Sequence, residues 1–270
     1  MTVDRIRTFR TTVWKYYRTH GRHDLPWRKS KDPYKILVSE VMLQQTQVER
    51  VKAYYLAWLE RFPNIEALAQ ASLADVLRMW QGLGYNRRAK MLHEAAKAIT
   101  ELGRFPKTPE ALEKLPGIGP YTARAVAAFA HNADVVFIET NLRTVVTHHF
   151  FPRKKVVSDK ELLAILEKAF PKGKSREWYA ALMDYGAHLK RSGVRLNAKA
   201  KGYKKQKVFR GSSREARGAI LKALVRGPRD AEFLTHILGD DRVVQAKSQL
   251  ASLTKEGLIE LSNGKFRLPQ

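Results

Sequence analysis

Apolar residues recur at steps of three and four across most of residues 1–190, as in Val3, Ile6, Phe9, Val13, Tyr16 and Tyr17, or Leu68, Val76, Leu77 and Trp80. That period returns side chains to one face of an α-helix. Breakers interrupt it at Gly21, Asp32-Pro33, Phe62-Pro63-Asn64, Gly82-Leu83-Gly84, Phe105-Pro106, Leu115-Pro116-Gly117 and Pro171-Lys172-Gly173. The pattern therefore predicts a nearly all-α domain built from several helices of roughly 10 to 18 residues.

At 270 residues the chain has room for one large and one small domain and a sizeable core. Fifty Lys and Arg against twenty-six Asp and Glu leave a net charge of +24, while 44% of residues are hydrophobic and 10% aromatic. This is the balance of a folded protein that binds a polyanion, not of a disordered basic tail. The absence of cysteine excludes disulfides, thiolate zinc sites, a Cys-ligated iron–sulfur cluster and a Cys nucleophile. No apolar run is long enough for a membrane span, and the first twenty residues are charged where a signal peptide is apolar. The expectation is a soluble, cytoplasmic, nucleic-acid-facing protein with no membrane partner.

Between Asp184 and Glu215 there is no acidic residue, whereas Lys190, Arg191, Arg195, Lys199, Lys201, Lys204, Lys205, Lys207, Arg210 and Arg214 accumulate, the pattern of a linker or docking arm. Helical signals follow at 213–225, 229–238 and 241–256. Then come Leu258–Leu261, the turn Ser262-Asn263-Gly264 and the run Lys265–Leu268. Asn-Gly between β-prone runs predicts a type I′ hairpin, whose two central residues need positive φ. Three helices and a hairpin are the order of a winged helix-turn-helix, which serves either DNA or a protein partner.

Three segments carry candidate chemistry. In Ile36–Gln47, Glu40 interrupts an apolar helical run and Gln44, Gln45 and Thr46 crowd its end. Burial raises a carboxyl pKa and so suits Glu40 to general-acid work. The plainer readings are a Glu bonded to an Arg or a backbone amide, and glutamines on the surface. Leu115–Ala123, between two helical stretches, places Gly117 and Gly119 where backbone amides meet an anion without obstruction, a helix-hairpin-helix for a DNA phosphate or else a structural turn. Glu139 ends the apolar run Val135–Ile138 where a helix begins; it is either a helix-terminal acid or the second member of a carboxylate pair with Glu40.

Together these segments resemble the helix-hairpin-helix DNA glycosylase superfamily that includes endonuclease III, and within it the MutY-type adenine glycosylases. The resemblance rests on Leu25-Pro26-Trp27-Arg28, Ser39–Val48, Gly82-Leu83-Gly84-Tyr85, Gly117–Thr122 and Met183–Ala187, in order, over roughly residues 1–190. It implies a two-lobed all-α catalytic domain at 1–208, with a six-helix lobe at about 28–136 and a second lobe from 1–27 plus 137–208. The winged-helix-like domain would then occupy 209–270. It further implies double-stranded DNA with a mispaired or damaged base as partner, action as a monomer, and a nucleoid location in a prokaryote.

Carried over residue by residue, the resemblance implies Glu40 as the acid that protonates the extruded adenine and Glu139 as the carboxylate that stabilises the sugar cation. Asn141 would stand beside Glu139. Tyr121 lies where bifunctional relatives have a Lys, so strand cleavage through a Schiff base is not expected. Gln44, Gln45 and Thr46 would penetrate the duplex; Arg28, Tyr85, Arg87, Arg88, Gly117, Gly119, Thr122, Lys190 and Arg191 complete the expected DNA contacts. The chain departs from the family in three ways. Glu139 replaces an Asp and displaces the carboxylate by about 1 Å, which costs rate in a geometry-sensitive site. No cluster cysteines are present, with Lys190 near the first position, so no cofactor is expected beyond a monovalent cation at the hairpin. A winged-helix-like module stands where the family usually has a Nudix-like domain. Adenine opposite 8-oxoguanine or guanine is the expected substrate; a thymine/uracil mismatch glycosylase or a non-catalytic DNA-damage-binding or regulatory protein are the alternatives.

Overall fold

The structure, a computed structural model, describes residues 3–200 and 208–270. Helices α1 (Val3–His20), α2 (Pro33–Leu43), α3 (Val48–Arg61), α4 (Ile65–Gln70), α5 (Leu73–Met79), α6 (Arg87–Glu101) and α7 (Pro109–Leu112) come first. They are followed by α8 (Pro120–His131), α9 (Thr140–Phe150), α10 (Asp159–Ala169) and α11 (Ser175–Arg191), and then α12 (Ser213–Val225), α13 (Ala231–His236) and α14 (Val243–Lys255). Strands β1 (Glu260–Ser262) and β2 (Lys265–Arg267) close the order. The fold is mainly helical, as the period predicts, and no described helix is long and apolar enough to cross a membrane.

Local chemistry fixes where the helices begin. Asn64 accepts from the Ala67 amide at the head of α4, Ser72 from Asp75 at α5, and Thr108 from Ala111 at α7. Ser158 and Glu161 form a reciprocal capping box at α10, and Ser212 and Asp230 cap α12 and α13. Each such cap contributes about 1 kcal/mol by satisfying an amide that the helix leaves unpaired.

The chain divides into two compact units. The first gathers Met1–Glu40, Pro106–Lys114 and Ile118–Lys205. In it α1 and α9 pack on α11, with the Phe9 ring edge-on to Phe150 at 5.1 Å and to Trp178 at 6.0 Å. α11 comes close to α9 at one point because Gly186 has no side chain: a Cβ there would stand 2.5 Å from the Asn141 carbonyl oxygen. The basic stretch is docked up to residue 200. Lys199 O accepts from the Val157 amide at 2.9 Å, and Asn197 Oδ1 accepts from Thr144 Oγ1 at 3.0 Å. Residues 201–207 lie outside the described residues.

The second unit holds Val41–Phe105, Leu115–Gly117 and Gln206–Gln270. Trp58, Phe62, Leu68, Leu77 and Trp80 fill its core, with the two indoles 5.4 Å apart. The carboxy-terminal helices and hairpin take the winged-helix order. Asn263 (φ 50°) and Gly264 (φ 72°) make the I′ turn, and Leu261 pairs with Phe266 across it. These helices join the core of the same unit: α12 packs on α5, Lys90 Nζ donates to Glu256 O at 2.6 Å, and the Ala74 amide to Pro269 O at 2.9 Å. These boundaries differ from the expected partition. The break falls between Glu40 and Val41, inside α2, and residues 209–270 share a unit with 41–105.

Candidate active site

Glu40 sits three residues from the end of α2 and is 6% exposed. Burial pushes its carboxyl up to about 7; the Tyr121 hydroxyl opposes this, the charge of Glu139 adds to it and Arg28 opposes it. Tyr121 Oη donates to Glu40 Oε2 at 2.8 Å, and burial holds the phenol well above its ordinary range. The Tyr121 ring stands edge-on to Phe137 at 5.6 Å, and Phe137 stacks on Tyr179 at 3.9 Å. The phenol is therefore aimed by packing as well as by its hydrogen bond.

Two residues beyond Phe137, Glu139 forms the N-cap of α9. Its Oε1 accepts from the Asn141 and Leu142 amides at 2.7 and 2.9 Å; Oε2 accepts from Thr140 Oγ1 at 3.0 Å and from Asn141 Nδ2 at 3.3 Å. The side chain folds back over its own helix as the cap, and its charge reaches Glu40. Asn141 Oδ1 accepts from Lys190 Nζ at 2.8 Å, and burial lowers the ammonium pKa against the opposing pull of Glu139.

The hairpin has the expected local form. Gly117 (φ 72°) lies against Met91, where a Cβ would approach Met91 Cβ to 2.4 Å, whereas a Cβ on Gly119 would meet nothing within 4 Å. Gly119 caps α8, with Pro120 at the first position, so the open approach lies at that helix's N-terminus.

In the second unit, the turn after α2 places Gln45 at φ 56°, and the turn before α6 places Tyr85 at φ 51°. Left-handed backbone is costly for side chains of this size. Arg88 holds both turns. Its Nη1 donates to Val41 O at 2.8 Å, Met42 O at 3.2 Å and Gln44 O at 2.5 Å. Its Nη2 donates to Thr46 Oγ1 at 3.3 Å, Leu83 O at 3.1 Å and Gly84 O at 3.0 Å. Burial lowers the guanidinium to about 10. Gln45, Tyr85 and Arg87 are exposed, and Gln44 and Thr46 half-buried.

Four expected DNA contacts are placed otherwise. Arg28 is turned inward: its Nη2 and the Nε and Nη2 of Arg22 converge on Asp184 Oδ1 at 3.0, 2.7 and 2.6 Å, because a carboxylate 1% exposed needs cations around it. Arg88 is consumed by the six acceptors above. The Thr122 side chain is buried at 3% in α8, and Lys190 is directed at Asn141. Arg191 is exposed. Sequence reasoning missed Asp184 as an ionic hub and Gly186 as the contact with Asn141, although both lie in the quoted stretch Met183–Ala187. An iron–sulfur cluster held by thiolates does not fit: Lys190 stands near the first ligand position with its amine on Asn141, and the chain offers no thiolate.

Residues 38–172 match the family described as HhH-GPD superfamily base excision DNA repair protein. The adenine DNA glycosylase of Mycolicibacterium smegmatis is 38% identical over 278 residues, covering 92% of each chain. That of Mycobacterium tuberculosis is 36% identical over 287 residues, 94% of this chain and 91% of its own. The solved structure of a thermostable thymine-DNA glycosylase superposes with a TM-score of 0.60 at 28% identity, covering 68% of this chain and 87% of that one.

Proposed function

Because this chain belongs to the HhH-GPD superfamily of base excision DNA repair proteins, we propose from its site that it hydrolyses the N-glycosidic bond of a mispaired adenine, with guanine or 8-oxoguanine opposite. It is a DNA N-glycosylase of the adenine type. The observation that carries the residue assignment is the buried Glu40 carboxyl, pushed to about 7 and bonded to Tyr121 at 2.8 Å. Near neutrality a large share of Glu40 is protonated and able to give its proton to a ring nitrogen of the departing base as the C1′–N bond breaks.

The sugar is left with positive character. Glu139, fixed by four donors, supplies the opposing charge, and its engagement with the head of α9 suits it to electrostatic stabilisation. Water then adds to C1′ and gives up a proton to the ionised Glu40 carboxylate, which restores the acid. With a phenol at position 121 the hydrolysis leaves the strand intact, so the enzyme is monofunctional on double-stranded DNA.

Incubation with labelled duplexes containing A opposite 8-oxoguanine, G or C, or T or U opposite G, with and without alkali, tests this. Adenine release with strand breaks only after alkali is expected. Release of thymine or uracil alone would replace adenine as substrate; binding without release from any duplex would leave a DNA-binding protein.

A further inference from the structure

Residues 132–139, between α8 and α9, belong to no helix or strand, yet they deliver Glu139 to the head of α9. Tyr179, buried in α11, grips this stretch with its hydroxyl, which donates to Val135 O at 2.7 Å and accepts from the Phe137 amide at 3.4 Å. Burial raises the phenol pKa, so the hydroxyl keeps its proton and its donor role near neutrality. The Phe137 ring, 3% exposed, stacks on Tyr179 with 3.9 Å between centroids and 23° between planes. The same ring meets Tyr121 edge-on at 5.6 Å and 75°, and Phe170 tilts against Tyr179 at 6.1 Å. All of these residues belong to the first unit, as does Glu40.

We propose that Tyr179 is a positioning residue for the site: its hydroxyl fixes the backbone at Val135 and Phe137, and through the Phe137 ring it aims Tyr121 at Glu40. The inference deepens the glycosylase reading and rests on it for the reaction. Tyr121 must reach a carboxyl on another helix, and its hydrogen bond weakens steeply once the donor turns away. An aromatic ring packed edge-on leaves the phenol little room to turn. Phe137 supplies that wall and stands two residues before Glu139, so a single displacement of this backbone moves the wall and the second carboxylate together. A misplacement of about 1 Å in a reacting geometry costs up to about a hundredfold in rate.

The Glu40 carboxyl, followed by carbon-13 NMR in the full chain and assigned with Glu40→Gln, tests this without turnover. The groups that set its titration are Tyr121, Glu139 and Arg28. Phe137→Leu removes the wall and is expected to move the Glu40 midpoint upward by roughly half a unit to one unit, the direction in which loss of the Tyr121 hydrogen bond acts. In a Tyr121→Phe background the same change is expected to leave the midpoint in place. Tyr179→Phe keeps the ring and removes the hydroxyl. It is expected to shift the midpoint upward by less and to lower single-turnover adenine release about tenfold, with binding to an abasic-analogue duplex within twofold of the wild type. Slower release at an unmoved midpoint, an equal shift in the Tyr121→Phe background, or loss of duplex binding by both single variants would assign Tyr179 and Phe137 to the core alone and overturn the proposal. A wild type that shows these NMR shifts among its variants but releases no base would count against the glycosylase reading alone.

Discussion

Lys190 Nζ donates to Asn141 Oδ1 at 2.8 Å. An ammonium has donors only, so it fixes which end of the amide faces it and leaves Nδ2 turned toward Glu139 Oε2, 3.3 Å away. Lys190→Met should release the amide and lower single-turnover base release about tenfold, while DNA affinity and its salt dependence stay as in the wild type. If Lys190 served a phosphate instead, as the sequence alone suggests, the same variant would bind less tightly and its log–log salt slope would flatten by about 0.9.

Glu40→Gln removes the transferable proton at nearly constant volume. Base release should fall below detection in a single-turnover assay while binding to an abasic-analogue duplex is retained. Preserved turnover would remove Glu40 from its role.

The Tyr121 hydroxyl lowers the Glu40 pKa, so Tyr121→Phe should raise it above its wild-type value of about 7. Protonated Glu40 is the active form, and the alkaline limb of the pH–rate profile should therefore move to higher pH. A shift toward lower pH, or a limb that stays in place, would contradict the arrangement.

Glu40 also has a signature in stability. Its folded pKa lies above the ordinary 4.5, so the folded state holds the proton more tightly than the unfolded chain between pH 4.5 and about 7. Stability is lost as pH rises through that window, by about 3 kcal/mol once Glu40 is fully ionised. Glu40→Gln should accordingly gain stability over the wild type at pH 8 and show little gain at pH 4, as read by denaturant melts at the two pH values.

Arg88→Met deprives both left-handed turns of their common donor. Six acceptors lose a partner, and the expected result is a loss of a few kcal/mol in stability together with a fall in base release larger than the fall in affinity. Arg88→Lys should recover only part of either, since an ammonium cannot span the two turns as a planar fork does. Full recovery by Lys would reduce Arg88 to a charge.

Much of the fold is legible in the sequence because its rules are local. The three- and four-residue period forecasts the helices, Asn64, Ser72 and Thr108 mark their beginnings beside the breakers, and Asn263-Gly264 forecasts the I′ hairpin. Glu40, Tyr121 and Glu139 are legible through family likeness, and the structure brings the three together in one unit. What stays hidden is the direction of the long cations. Arg28, Arg88 and Lys190 are basic residues in a basic chain, and nothing local reveals that Asp184, a set of backbone carbonyls and Asn141 claim them. Partners of that kind lie far away in sequence, as Arg28 and Asp184 do, and only the folded topology brings them within reach.

The hydrogen bond from the Ala74 amide to Pro269 O joins the head of α5 to residues near the other end of the sequence. During synthesis at 5–20 residues per second, α5 therefore waits roughly ten to forty seconds for that acceptor. Until α12 has been made, roughly eight to thirty seconds into that interval, the surface of α5 that α12 later covers is bare, and α3 to α6 are a partial assembly awaiting its missing wall. The nascent protein thus passes through a stage that chaperones and proteases can inspect, and a ribosome that stalls before α12 releases a product without a finished second unit.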